Sequence, residues 1–137
     1  MKNKPRLLVF NSGSGSGFQE LVENSRTGIL NAHIVGLVSD KEGYKCIDRA
    51  IKLGVLFTES MNGFEIKDYQ DLVNYYRADY VALSGWLKLT KGLNPCITFN
   101  IHPGPLPSFG GIGMYGHHVH EAVIKAYKER KIAKSEV

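Results

Sequence analysis

Residues 99–107 read Phe-Asn-Ile-His-Pro-Gly-Pro-Leu-Pro, so an apolar stretch ends in Asn100 and His102 and then turns on prolines and glycine. In an extended chain, residues two apart project to the same side, which lets Asn100 and His102 face one pocket while Ile101 points into the core. The Asn amide and a protonated imidazole are both donors, and they suit a carbonyl oxygen that gains negative charge as a nucleophile adds to its carbon. His102 can also move protons near neutral pH. The alternative is a strand end whose polar side chains cap nearby backbone. The pair alone does not separate the two readings.

Residues 11–17, Asn-Ser-Gly-Ser-Gly-Ser-Gly, place glycines at alternate positions after a short apolar run. Glycines let backbone approach a ligand closely, and a helix that follows offers free N–H groups and the positive end of its dipole, so a phosphate is the natural guest. No Gly-Lys-Ser/Thr follows, and the spacing is not Gly-x-Gly-x-x-Gly, which weakens nucleotide triphosphate and dinucleotide readings. A Gly-x-Ser-x-Gly nucleophile elbow is poorly supported, because Gly and Ser alternate in the wrong phase and its central position would be Gly15. A flexible or capping turn is the other reading of this loop.

Residues 84–90, Ser-Gly-Trp-Leu-Lys-Leu-Thr, carry the single Trp beside a cation. Either a planar heterocycle lies against this lip or Trp86 is simply core. Further on, glycine-dense residues 110–116 lead to His117, His118 and His120. Close histidines suggest a metal, but the His-Glu pattern of a helical zinc site and a nearby Cys are both missing, so structural or capping roles are expected and no metal.

These segments need elements to hold them. Residues 7–10 form a continuous apolar run, as in a strand buried on both faces. Phe18, Leu21, Val22 and Ser25 then mark a helix. A strand over 33–38, a helix carrying Ile47, Ala50 and Ile51 that Gly54 ends, and a short strand over 55–58 follow. Tyr69, Leu72, Val73 and Tyr76 repeat the helical spacing before strands over 80–83 and 97–101. A last amphipathic helix carries Val119, Ala122, Val123, Ala126, Tyr127 and Arg130. Alternating strands and helices predict a doubly wound, mostly parallel open α/β sheet of Rossmann-like type. Ligands bind such sheets beyond the strands' carboxyl ends, where strand order reverses. With the first strand beside the 80–83 strand there, loops 12–17, 84–90 and 100–104 converge.

The chain has 137 residues, 43% of them hydrophobic, enough for one domain with a real core, residues 1–137. Its net charge of +4 gathers at Lys2, Lys4 and Arg6 and along residues 125–134, which reads as solvated ends and faces rather than a nucleic-acid stripe. Cys46 and Cys96 lack paired spacing, which argues against a zinc site or disulfide framework; both are expected to be buried, in a reducing cytoplasm. No stretch approaches the roughly 18 apolar residues of a membrane span, so a soluble protein is expected.

Taken together, Ser-Gly-Ser-Gly-Ser at 12–16, Ser-Gly-Trp-Leu-Lys at 84–88 and the run at 100–107 resemble the phosphoribosylglycinamide formyltransferases of the folate-dependent formyltransferase superfamily. The resemblance covers essentially the whole chain. Methionyl-tRNA formyltransferase and formyltetrahydrofolate hydrolase share the core and the Asn-x-His pair, whereas the Gly-Ser loop favours the purine enzyme. The resemblance implies formyl transfer from 10-formyltetrahydrofolate, as co-substrate, to the amine of glycinamide ribonucleotide. By matching position, Gly15, Ser16 and Gly17 hold the ribonucleotide phosphate, with Gly17 where the family usually has Asn. Leu87, Lys88, Leu89 and Thr90 match the folate-contacting segment, Lys88 replacing a frequent Arg; Lys67 and Asn100 are further folate contacts. Asn100 and His102 match catalytic residues. The family's catalytic Asp falls beyond Val137, and none of Asp40, Asp48, Asp68, Asp71 or Asp79 matches it. The expectation is a C-terminally truncated domain, or a short form that binds ligand without efficient turnover. A non-catalytic domain for a phosphorylated metabolite, or another folate-dependent formyltransferase or hydrolase, stays open.

Overall fold

Leu7 to Phe10 alternate their apolar side chains between two faces, and each face needs its own cover. In the computed structural model, which describes residues 3–60, 63–101, 106, 108, 110–111 and 117–133, these residues lie in strand β1 (Arg6–Asn11). Leu7 and Val9 join Phe18, Val22, Leu37, Ile47 and Ala50 on one face; Leu8 and Phe10 join Val35, Val38, Tyr69, Tyr76 and Val81 on the other. Two separate apolar clusters on one strand are the signature of double winding.

Helix α1 (Ser16–Thr27) starts after Gly15 and ends at Gly28, both in the left-handed region. Strand β2 (His33–Ser39) leads to helix α2 (Lys45–Leu53), which Gly54 ends at φ 66°. Strand β3 is Phe57–Glu59, later than the expected 55–58, because the Val55 N–H donates to Ala50 O and so belongs to the helix end. Helix α3 (Ile66–Tyr75) opens on a reciprocal cap between Glu65 and Asp68. Strands β4 (Tyr80–Leu83) and β5 (Thr98–Asn100) complete the sheet, and helix α4 (His117–Lys128) follows. The strand order is β3-β2-β1-β4-β5, with every pairing parallel. A bare Gly36 in β2 leaves room for the Tyr76 ring, whose hydroxyl is 2.7 Å from Thr58 Oγ1.

The described chain divides into two compact units, Met1–Asn100, which holds the sheet, and Ile101–Val137, which holds α4. Within α4, Val119 is fully buried while His117, His118 and His120 are exposed. Two expectations need correction. Ile101 is 76% exposed rather than core, because β5 ends at Asn100 and has only β4 as a neighbour among the described strands. Cys96 is exposed, since it lies in the turn before β5 where its N–H donates to Asn94 Oδ1.

Candidate active site

Strand order reverses between β1 and β4, and the chain leaves both strands at their carboxyl ends. The two exits are stitched into one rim. Ser12 N donates to Gly85 O (3.0 Å), Ser84 N to Phe10 O (3.0 Å) and Leu87 N to Ser12 Oγ (3.1 Å). Asn11, buried at the end of β1, donates from Nδ2 to Ser84 O and accepts from Gly13 N on Oδ1. Asn100 pairs in register with Leu83, which pairs with Phe10, so it stands at the same level one strand along.

The glycine loop is held from below by α2. Cys46 N donates to Gly13 O, and Arg49 Nε donates to Ser14 O at 2.8 Å. Gly15 has φ 75°, and a Cβ there would lie 2.6 Å from Cys46 Cβ; only glycine fits. Ser16 and Gly17 form the first turn of α1, which has no acidic residue and no side-chain cap. Free N–H groups, a helix dipole and the Arg49 cation beside the loop together favour an anion. Burial pushes the Cys46 thiol above its usual range, partly offset by a hydrogen bond with Ser39, so it adds no negative charge there.

The other loop rests on an aromatic cluster. Trp86 is 9% exposed, meets Phe10 and Phe64 edge-on at 5.1 and 4.9 Å between ring centroids, and donates from Nε1 to Tyr69 Oη at 3.0 Å. Tyr69 in turn donates to Leu89 O at 3.3 Å. Of the two readings of Trp86, core is the one observed. Its burial leaves Leu87, Lys88 and Leu89 exposed as a lip, with Thr90 half-buried. Lys67 lies exposed in the first turn of α3, two residues before Tyr69. Burial raises the Tyr69 phenol, the Trp86 hydrogen bond lowers it, and the Asp40 charge raises it further. Asp40, buried just beyond β2, has Oδ1 unpartnered among the described residues.

The structure therefore sets Gly15, Ser16 and Gly17, the 87–90 lip and Asn100 at the carboxyl ends of the adjacent strands β1, β4 and β5; His102 lies outside the described residues. Sequence reasoning missed the clamp made by Asn11 and Ser12, whose signal is a polar pair directly after a buried strand. It also missed Arg49, which helical spacing alone does not single out. Among the described residues no His, Cys, Asp and Glu group could hold a metal, and no helix is long and apolar enough to cross a membrane.

This rim has a sequence pattern, and the pattern of the formyl transferase family matches residues 5–130. The chain belongs to the formyl transferase family. It is 34% identical over 134 residues to the chloroplastic phosphoribosylglycinamide formyltransferase of Arabidopsis thaliana, covering 90% of this chain and 46% of that one. To the corresponding protein of Vigna unguiculata it is 36% identical over 132 residues, covering 88% and 42%. The chain thus spans less than half the length of these curated relatives. Glycinamide ribonucleotide transformylase 1 of Geobacillus kaustophilus superposes with a TM-score of 0.73 at 29% identity, covering 92% of this chain and 68% of that one. The family match spans both loops of the rim and Asn100, and so ties the observed parallel sheet and its switch point to one known architecture.

Proposed function

We propose that the protein transfers a formyl group from 10-formyltetrahydrofolate to the primary amine of glycinamide ribonucleotide. The observation that carries this reading is the stitched rim, where an anion-seeking helix start, an apolar, lysine-bearing lip and Asn100 stand in turn at the ends of the adjacent strands β1, β4 and β5. Gly15, Ser16 and Gly17 would receive the phosphate through backbone N–H groups. Exposed Leu87 and Leu89, 55% and 82% exposed, offer apolar area to a planar folate, while Lys88 and Lys67 suit its carboxylates.

The folate co-substrate supplies the formyl carbon. Asn100 donates from its amide to the formyl oxygen as the amine adds, and protonated His102 supplies the second donor. Addition forms the new C–N bond and a tetrahedral oxyanion; its collapse re-forms the C=O and breaks the bond to the folate nitrogen, and the proton lost by the amine passes to that departing nitrogen. A single oxyanion donor contributes about 10²–10³-fold to turnover in comparable sites. Asn100→Ala is therefore expected to lower turnover by about that factor.

Mass spectrometry after incubation of both substrates with the enzyme that carries the family's catalytic Asp as well as Asn100 and His102 tests the reading. Formylated ribonucleotide is the expected product. Free formate without transfer would instead favour hydrolysis, and ribonucleotide binding with no folate site would favour a non-catalytic domain for a phosphorylated metabolite.

A further inference from the structure

Gly17 is the second residue of α1. Its side-chain space is not open solvent. A Cβ built on Gly17 would lie 2.5 Å from Ser84 Oγ, so the Ser84 hydroxyl occupies the place where a side chain at position 17 would begin.

Ser84 is held there by its backbone. It follows β4 directly, its N–H donates to Phe10 O at 3.0 Å, and its carbonyl accepts from Asn11 Nδ2. Both main-chain groups are committed to the β1 side of the rim, which fixes the direction of the Cα–Cβ bond. The residue is half-buried, and its hydroxyl makes no hydrogen bond to a described residue. A hydroxyl with a spare donor, fixed against the first turn of an uncapped helix, is well placed to donate to an anion.

We propose that Ser84 is a substrate-positioning residue: its hydroxyl, lying where a side chain at position 17 would begin, donates from the β4 loop to the phosphate monoester seated on the first turn of α1. This rests on the proposed function for its substrate, but not for its ligand chemistry, which is that of a phosphate group. The same geometry makes glycine the residue at 17 that leaves the Ser84 hydroxyl undisturbed. With Ser84 in place, a larger residue at 17 must turn Oγ aside; with Oγ removed, the nearest Ser84 atom to a Cβ at 17 is its own Cβ at 3.9 Å, an ordinary contact.

Calorimetric titration of the parent, Ser84→Ala, Gly17→Asn and the double variant with inorganic phosphate, glycinamide ribonucleotide and a folate analogue tests this. Ser84→Ala should weaken phosphate and ribonucleotide binding about tenfold, the loss of one charge-assisted hydrogen bond. Folate affinity and the urea midpoint should be unchanged. Gly17→Asn alone should weaken ribonucleotide binding, and adding Ser84→Ala should restore it, a rescue that general loosening cannot produce. Unchanged phosphate affinity in Ser84→Ala, an equal loss for folate, or no rescue in the double variant would overturn the assignment. A parent that binds phosphate but not the ribonucleotide would refute the proposed substrate while the phosphate titrations still judge Ser84.

Discussion

Gly15 carries the tightest steric demand of the glycine loop. Gly15→Ala must adopt φ near 75° and push a Cβ against Cys46, so a loss of at least about 1–2 kcal/mol is expected, read as a lower urea midpoint together with weakened phosphate binding. A variant as stable as the parent would show that the loop does not sit on α2 as described. The cysteines give a second residue-scale outcome. Exposed Cys96 should react at once with a thiol reagent at pH 8, and Cys46, buried with its thiol pushed up, should react only in denaturant. At this scale the sequence was most legible where backbone conformation restricts residue type, as at Gly15 among the alternating glycines, whose φ of 75° and contact with Cys46 admit only glycine. It was least legible where burial decides. Trp86 admitted two readings until its indole N–H was seen on Tyr69, and the expected burial of Cys96 and Ile101 failed because neither lies inside a strand.

Elements matter here through what joins them. Asn11 bonds the β4 exit and its own loop at once, so Asn11→Ala should leave the Ser84 carbonyl and the Gly13 N–H without those partners. Each orphaned buried group costs about 1–3 kcal/mol. Chemical denaturation is expected to show at least one such increment, with folate and ribonucleotide affinity both reduced because the two loops lose their common fastening. Stability within 0.5 kcal/mol of the parent, a surface-like effect, would contradict the clamp. Strand β4 was read at its observed bounds because a short apolar run bounded by Asp79 and Ser84 has no competing pattern. Strand β3 was placed too early, since an apolar Val55 beside Leu56 looks like strand whether or not its N–H closes the preceding helix. The three-residue β5 was overextended for the same reason: hydropathy does not mark where pairing stops.

Across the whole molecule, the doubly wound order was legible because strand and helix periods alternate along the chain, and parallel neighbours need crossovers. The pairing of β1 with β4, which the rim depends on, came from topology rules rather than from any residue. One face of that sheet, the one that holds Leu8 and Phe10, leans on two buried phenols. Tyr76, like Tyr69, is raised above 10.0 chiefly by burial, with the Thr58 hydrogen bond lowering it. A phenol with a native pKa above its unfolded one stabilises the fold fully below the unfolded value and loses that contribution as pH rises through the native one. The denaturation midpoint should therefore fall above pH 10, and the fall should be smaller in Tyr76→Phe. An identical fall in that variant would remove Tyr76 from the cause.

In the proposed enzyme one rim, shared by β1, β4 and β5, carries a phosphate pocket and a folate pocket side by side. Titration calorimetry of the chain with glycinamide ribonucleotide, then with a folate analogue at saturating ribonucleotide, decides whether it does. One equivalent of each ligand should bind at the same time, with Ser84→Ala weakening the first and not the second. Binding of the ribonucleotide alone, or displacement of one ligand by the other, would contradict it.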